Sequence, residues 1–246
     1  MPKGIGHIAF DRKNGVVELA LPNGVPVFVH WSFLVPAILL TQPFWWRGAF
    51  ALASLFALIL FASILLHEIG HMIAAARRDV RCASIAIHAL GGEVSLAADR
   101  TRKRSVIAIA LAGPTMNLAL GAAFFAAYWA TPEPAPTILA GGWVVLSAEP
   151  PLPHLAYVAG LLNIGLAIVN LIPAFRLDGG VIALETLKRH VGFRKATLLV
   201  GLSGLAFATL SGLVLIATLI AGFPIWSPPS FEPNWLAVRE NWRQRG

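Results

Sequence analysis

Charge is what this sequence has least of. Only 13% of its 246 residues are Asp, Glu, Lys or Arg, against roughly a quarter in soluble domains. With 57% hydrophobic residues, a soluble core would find too little polar surface to cover it, so the composition points to a polytopic membrane protein. Cysteine is nearly absent. The single Cys82 excludes an intrachain disulfide and a cysteine-based zinc site. The first 25 residues contain no apolar h-region, so no cleavable signal peptide is expected. Acidic residues number 12 against 19 basic, a net charge of +7. On a soluble chain that excess would suggest nucleic acid. Here the basic residues fall between apolar spans, where they fix topology, and the expected surroundings are a lipid bilayer.

What is present is one chemically loaded stretch, FASILLHEIGHMIAAARR, Phe61 to Arg78. His67 and His71 stand four residues apart, so on a helix their imidazoles lie on nearly one face and can converge on one metal ion. Glu68, beside them, can take a proton from a water on that ion. Gly48 to Leu66, just before the motif, carries no charged residue. That span is long enough to cross a bilayer. His67 precedes the Arg77-Arg78 pair by ten residues, roughly 15 Å of helix. With the arginines at the interface, the motif lies inside the membrane, where ionisable groups are costly and signal function.

In chain order, residues 1–29 alternate in short runs split by Asn-Gly turns and read as a cytoplasmic lead-in of two or three small strands. A first span is expected over about Val27 to Leu40; His30 within it reads as a packed or interfacial residue. Trp45 and Trp46 suit the headgroup zone. The second span runs from Gly48 to about Ala76. Ser84 to Leu96 alternates around Gly91-Gly92 and reads as a re-entrant β hairpin, to whose edge an extended peptide could add. Arg100 to Arg104 marks the cytoplasmic side. A third span follows, Ser105 to about Ala130, holding Pro114 and Asn117. Asn117 is either helix-packing glue or a group facing a polar cavity. Thr131 to Pro153, with six prolines and no Lys or Arg, reads as an outer loop. A fourth span covers about His154 to Phe175, with Asn163 and Asn170 on one helix face. Asp178 then lies ten residues before Lys188 and Arg189. It is either a cytoplasmic Asp-Gly-Gly turn or a third ligand at the depth of His67. Ala196 to Ile225 is one span or two short ones, followed by a Trp- and Pro-rich tail.

Four motifs together resemble the site-2 protease family of intramembrane zinc metalloproteases, in particular its short prokaryotic branch. They are HEIGH at 67–71, LGGEVSL at 90–96, AGPTMN at 112–117 and NLIPAFRLDGG at 170–180, in family order. The resemblance implies that His67, His71 and Asp178 bind zinc and that Glu68 is the catalytic acid and base. It implies that Asn170 positions substrate or the oxyanion and that the Gly91-Gly92 loop engages substrate as a strand; Asn117 joins these as a candidate substrate-binding residue. Arg176 departs from the family, which often has proline there, and no PDZ or CBS domain is expected.

The expectation is therefore an all-α polytopic membrane protein of about five to six transmembrane helices, with a small N-terminal β element and a re-entrant hairpin at about 84–96. Its parts would be the lead-in 1–29, a metalloprotease core 30–222 and a tail 223–246. It would sit in a prokaryotic cell membrane with its site toward the cytoplasm. It would cleave single-span membrane proteins, for instance a membrane-bound regulator of transcription, and no nucleic acid partner is expected. Three other readings compete: a membrane-anchored zinc peptidase acting on soluble peptides, a catalytically silent binding or chaperone relative, and a transporter with midplane His and Asp. The transporter should carry an internal repeat, and the sequence has no convincing one.

Overall fold

The computed structural model describes residues 9–11, 15–46, 48–96, 103–131, 152–220 and 231–243. Part of the Arg100–Arg104 run and nearly all of the proline-rich loop after Thr131 lie outside them.

Long apolar runs bounded by Gly, Pro or charge make the helices. They are α1 (Leu34–Trp45), α2 (Phe50–Ala76), α3 (Lys103–Ala130), α4 (Leu152–Asn170), α5 (Asp178–Val191), α6 (Phe193–Ile220) and α7 (Phe231–Arg243). Among the described residues, four helical segments are long and apolar enough to cross a bilayer: Phe50–Ala76, Val106–Ala130, Pro153–Asn170 and Phe193–Thr218. Large apolar side chains such as Leu58, Leu210 and Ile216 face outward on them, 64%, 61% and 56% exposed. Such faces suit lipid rather than water, and the chain is a multi-pass membrane protein. The expected first span is different. Its apolar run divides, because Val27 and Val29 alternate inward and pair in a sheet, and after a 3-10 turn at Trp31–Phe33 the α-helix begins only at Leu34. The 12-residue α1 is about 18 Å long, short of the ~30 Å hydrocarbon core. The fourth span also ends sooner than expected, at Asn170, and Pro173 lies in the turn that follows.

The N-terminal strands and the hairpin form one sheet in the order β1 (Ala9–Asp11), β2 (Val16–Ala20), β3 (Pro26–His30), β4 (Cys82–His88) and β5 (Gly91–Leu96). All neighbours are antiparallel except β3 and β4. That parallel pair needs a crossover, and α1 and α2 supply it. Val27, Ile85 and Ile87 face Leu60 and Ile64 of α2 in one buried cluster. The sheet is thereby fixed against the helix that carries the HExxH motif, with β5 at its edge.

Candidate metal centre

His67, Glu68 and His71 all lie on the buried side of α2, 5%, 4% and 7% exposed. The four-residue spacing brings the two imidazoles edge to face, their centroids 4.8 Å apart and their Nε2 atoms 3.1 Å apart. Asp178 opens α5, where the helix dipole favours a carboxylate. Its Oδ2 lies 3.1 Å from Nε2 of His67 and its Oδ1 3.2 Å from Nε2 of His71. Asp178 thus meets the histidines across 111 residues of chain.

The hydrogen bonds behind the histidines decide what these atoms can do. Nδ1 of His71 lies 2.7 Å from the backbone carbonyl of Ile109, so it must carry the proton. For His67 the proton is placed by a relay. The amide of Asn163 donates to the carbonyl of Ala159 (2.9 Å) and to Oγ of Ser63 (3.0 Å). Its Oδ1 must therefore face Asn117, whose Nδ2 donates to it at 2.9 Å. Oδ1 of Asn117 is left toward Nδ1 of His67, which must be the donor. Both Nε2 atoms then carry lone pairs directed at the same point as a carboxylate. The two Nε2 atoms, 3.1 Å apart, each within 3.2 Å of one oxygen of Asp178 and with no proton between them in this tautomeric state, fit a bound cation. Their separations match the ligand–ligand edge of a tetrahedral zinc site, about 3.3 Å for bonds of about 2.0 Å. The donor set of two imidazoles and a carboxylate suits zinc and leaves one position open.

The carboxyl of Glu68 belongs to the same cluster, since ligand atoms of His67, Glu68 and His71 all lie within 4.8 Å of one another. It packs under β5, where a Cβ on Gly92 would overlap it. Gly113 of α3 lies against the opposite side of the centre; a Cβ there would overlap Nε2 of both histidines. A cavity of about 530 Å³ opens beside these groups, lined by Gly91, Gly92, Asn170, Arg176 and apolar side chains of α1, α2 and α4.

The structure brings the residues named from the sequence, His67, Glu68, His71, Asp178, Gly91, Gly92, Asn117 and Asn170, to one cavity. Asn117 touches the same cavity, but it is buried and its amide is engaged by His67, Asn163 and the Ser63 carbonyl. Asn170 lines the cavity and donates to the carbonyl of Leu166 at 3.0 Å. Sequence reasoning missed Ser63, Gly113 and the carbonyl of Ile109, and it left Asn163 as a bare face neighbour of Asn170. An asparagine inside an apolar span was the one available signal, because such a group must find a partner.

His30 is not at the centre; its Nδ1 pairs with Oγ of Ser32 at 2.7 Å. His88 lies on β4, where burial outweighs the pull of Glu93 and, with the charges of Arg176 and His30, lowers its pKa.

The sequence model of peptidase family M50 matches residues 55–140 and 143–211. A zinc metalloprotease of Methanocaldococcus jannaschii is 27% identical over 190 residues, covering 75% of this chain and 49% of its own length. The chain thus spans about half the length of that relative. The solved structure of a site-2 protease from the same organism superimposes with a TM-score of 0.61 at 22% identity, covering 94% of this chain and 95% of that one. That likeness is one of fold.

Proposed function

Because the chain belongs to peptidase family M50, the site-2 protease family, we propose that it is an intramembrane zinc metalloprotease. It would hydrolyse peptide bonds in or near the transmembrane segments of membrane-anchored proteins. The observation that carries the reading is the convergence of three lone-pair donors, His67, His71 and Asp178, beside Glu68 inside an apolar helix bundle.

A zinc ion held by those three residues would supply Lewis acidity, polarising the scissile carbonyl and acidifying a water. The chain's own groups do the rest. Glu68 accepts the proton of the attacking water as its oxygen bonds to the carbonyl carbon. It returns that proton to the amide nitrogen as the C–N bond breaks. Asn117 and the Ile109 carbonyl hold the two imidazoles in the tautomer that keeps Nε2 free. Asn170, on the cavity wall, would hold the substrate backbone.

A transmembrane substrate arrives with its amides internally bonded and must unwind before attack. Its freed amides are costly in lipid unless they are paired again. The outer edge of β5 has no strand partner among the described residues, and Gly92 of that strand touches Glu68. Pairing there would restore the lost hydrogen bonds and lay the peptide over the catalytic carboxyl.

The exposed Arg77 and Arg78 end α2, and Lys188 and Arg189 end α5. Both pairs favour a site opening toward the cytoplasm of a prokaryotic cell. A single-span, membrane-bound regulator of transcription is the substrate that the family resemblance implies. The test is co-expression with candidate single-span regulators. Wild type should shorten one of them, and Glu68→Gln should leave it intact while still purifying with zinc. Cleavage retained by Glu68→Gln would remove Glu68 from the mechanism.

A further inference from the structure

Asp178 reaches the histidines from the end of an irregular loop, residues 171–177, rather than from a helix interior. A ligand at the first residue of a helix is only as well placed as the loop that leads into it. Local turns account for part of the fixing: Ala174 N–H donates to the Ile172 carbonyl at 2.8 Å, and Leu177 N–H to the Ala174 carbonyl at 3.1 Å. Arg176, between them, is held at φ 76°, a left-handed conformation that an arginine does not adopt unaided. Something outside the loop must hold it there.

The amide just before Arg176 is where the outside contact falls. Phe175 N–H donates to Oδ1 of Asn234 at 2.9 Å, across 59 residues. Asn234 lies on α7, beyond the residues that the family model matches. Its side chain is wholly buried and fills a notch on α6 at Gly204, where any Cβ would overlap it. Val238 and Asn241 continue the same buried face of α7, while Trp235, Arg239 and Trp242 are exposed. At the far end Asn241 Nδ2 donates to the Arg194 carbonyl at 2.6 Å, and Arg194 Nη2 donates to the Asn241 carbonyl at 3.2 Å. The helix is thus docked along one face and presents one amide oxygen to the metal-ligand loop.

We infer that Asn234 is a positioning residue of the metal centre, through which the C-terminal helix clamps the loop that carries Asp178. It touches neither metal nor substrate and acts through the Phe175 amide. The inference rests on the reading of Asp178 as a metal ligand.

The test uses the full chain in detergent, with three readouts: zinc affinity by chelator competition, amide exchange over 171–177 in the metal-free protein, and kcat and KM on a model single-span substrate. Asn234→Leu keeps the bulk and loses the acceptor. It should weaken zinc binding measurably, up to the about 10–100-fold that loss of a direct outer partner of a ligand costs. It should also speed exchange at Phe175 and lower kcat more than it raises KM. Asn234→Asp keeps the acceptor at the same reach and should recover most of the affinity. Asn241→Ala, which loosens α7 elsewhere, should disturb zinc binding far less than Asn234→Leu.

Wild-type affinity and exchange in Asn234→Leu would overturn the inference, as would equal impairment in Asn234→Asp. If the leucine variant does not fold, Asn234→Gln, which displaces the acceptor, replaces it in the comparison with Asn234→Asp. A wild-type protein that binds no zinc would instead defeat the metal-site reading, and exchange in the metal-free protein would still decide the clamp.

Discussion

Two side chains of nearly equal size carry different duties around His67. In the proposed centre Asp178 supplies an oxygen to the metal, while Asn117 holds the ring from behind. Their losses should therefore differ in degree. Asp178→Ala removes one of three donors and should abolish stoichiometric zinc after dialysis. Asn117→Ala leaves all three donors but frees the His67 ring to turn or change tautomer, and should weaken affinity by about 10–100-fold. Chelator competition on the two variants orders them. Equal affinities would mean that Asn117 does not orient the ring. Glu68→Gln completes the residue scale. It keeps size and hydrogen-bonding reach but cannot take the proton, so cleavage should fall at least ~100-fold with zinc retained.

At the scale of elements, the site is a sandwich of α2 between α3 and β5, and each neighbour approaches through a glycine. Gly113 of α3 faces both Nε2 atoms, and Gly92 of β5 faces the Glu68 carboxyl. The same small substitution should then produce opposite defects. Gly113→Ala puts a methyl group where the histidines converge and should eliminate zinc binding. Gly92→Ala displaces only the proton-transfer group and should leave zinc in place while cleavage is lost. Zinc content measured beside cleavage distinguishes them. Zinc retained in Gly113→Ala would show that α3 is set further back than the structure has it.

For the whole molecule, the proposed centre joins α2 to α5 through its ligands, and α3 and α4 to them through the hydrogen bonds behind the histidines. Zinc should therefore stabilise the entire bundle. With free zinc at 100 times Kd the gain is about 2.7 kcal/mol, visible as a higher melting temperature in detergent and reversed by a chelator. Glu68→Gln should show the same shift and Asp178→Ala should not. A melting temperature unmoved by zinc in wild type would mean that α2 and α5 are not joined through the metal.

The HExxH pair was legible in the sequence because helical period is local: a spacing of four puts His67 and His71 on one face whatever surrounds them. The four long spans were legible because a bilayer imposes a length and excludes charge. The run VPVFVH was not, since a short apolar stretch reads equally as strand or helix; its pairing with β4 decided it. Asp178 was marked by its distance from a basic pair and by family resemblance. That its two oxygens meet two histidines depended on packing across 111 residues. The Asn163–Asn117–His67 relay, the facing glycines and the Asn234 clamp belong wholly to the tertiary structure. Hydrogen bonds and close approaches between distant segments are set by how helices pack, and no local period encodes them.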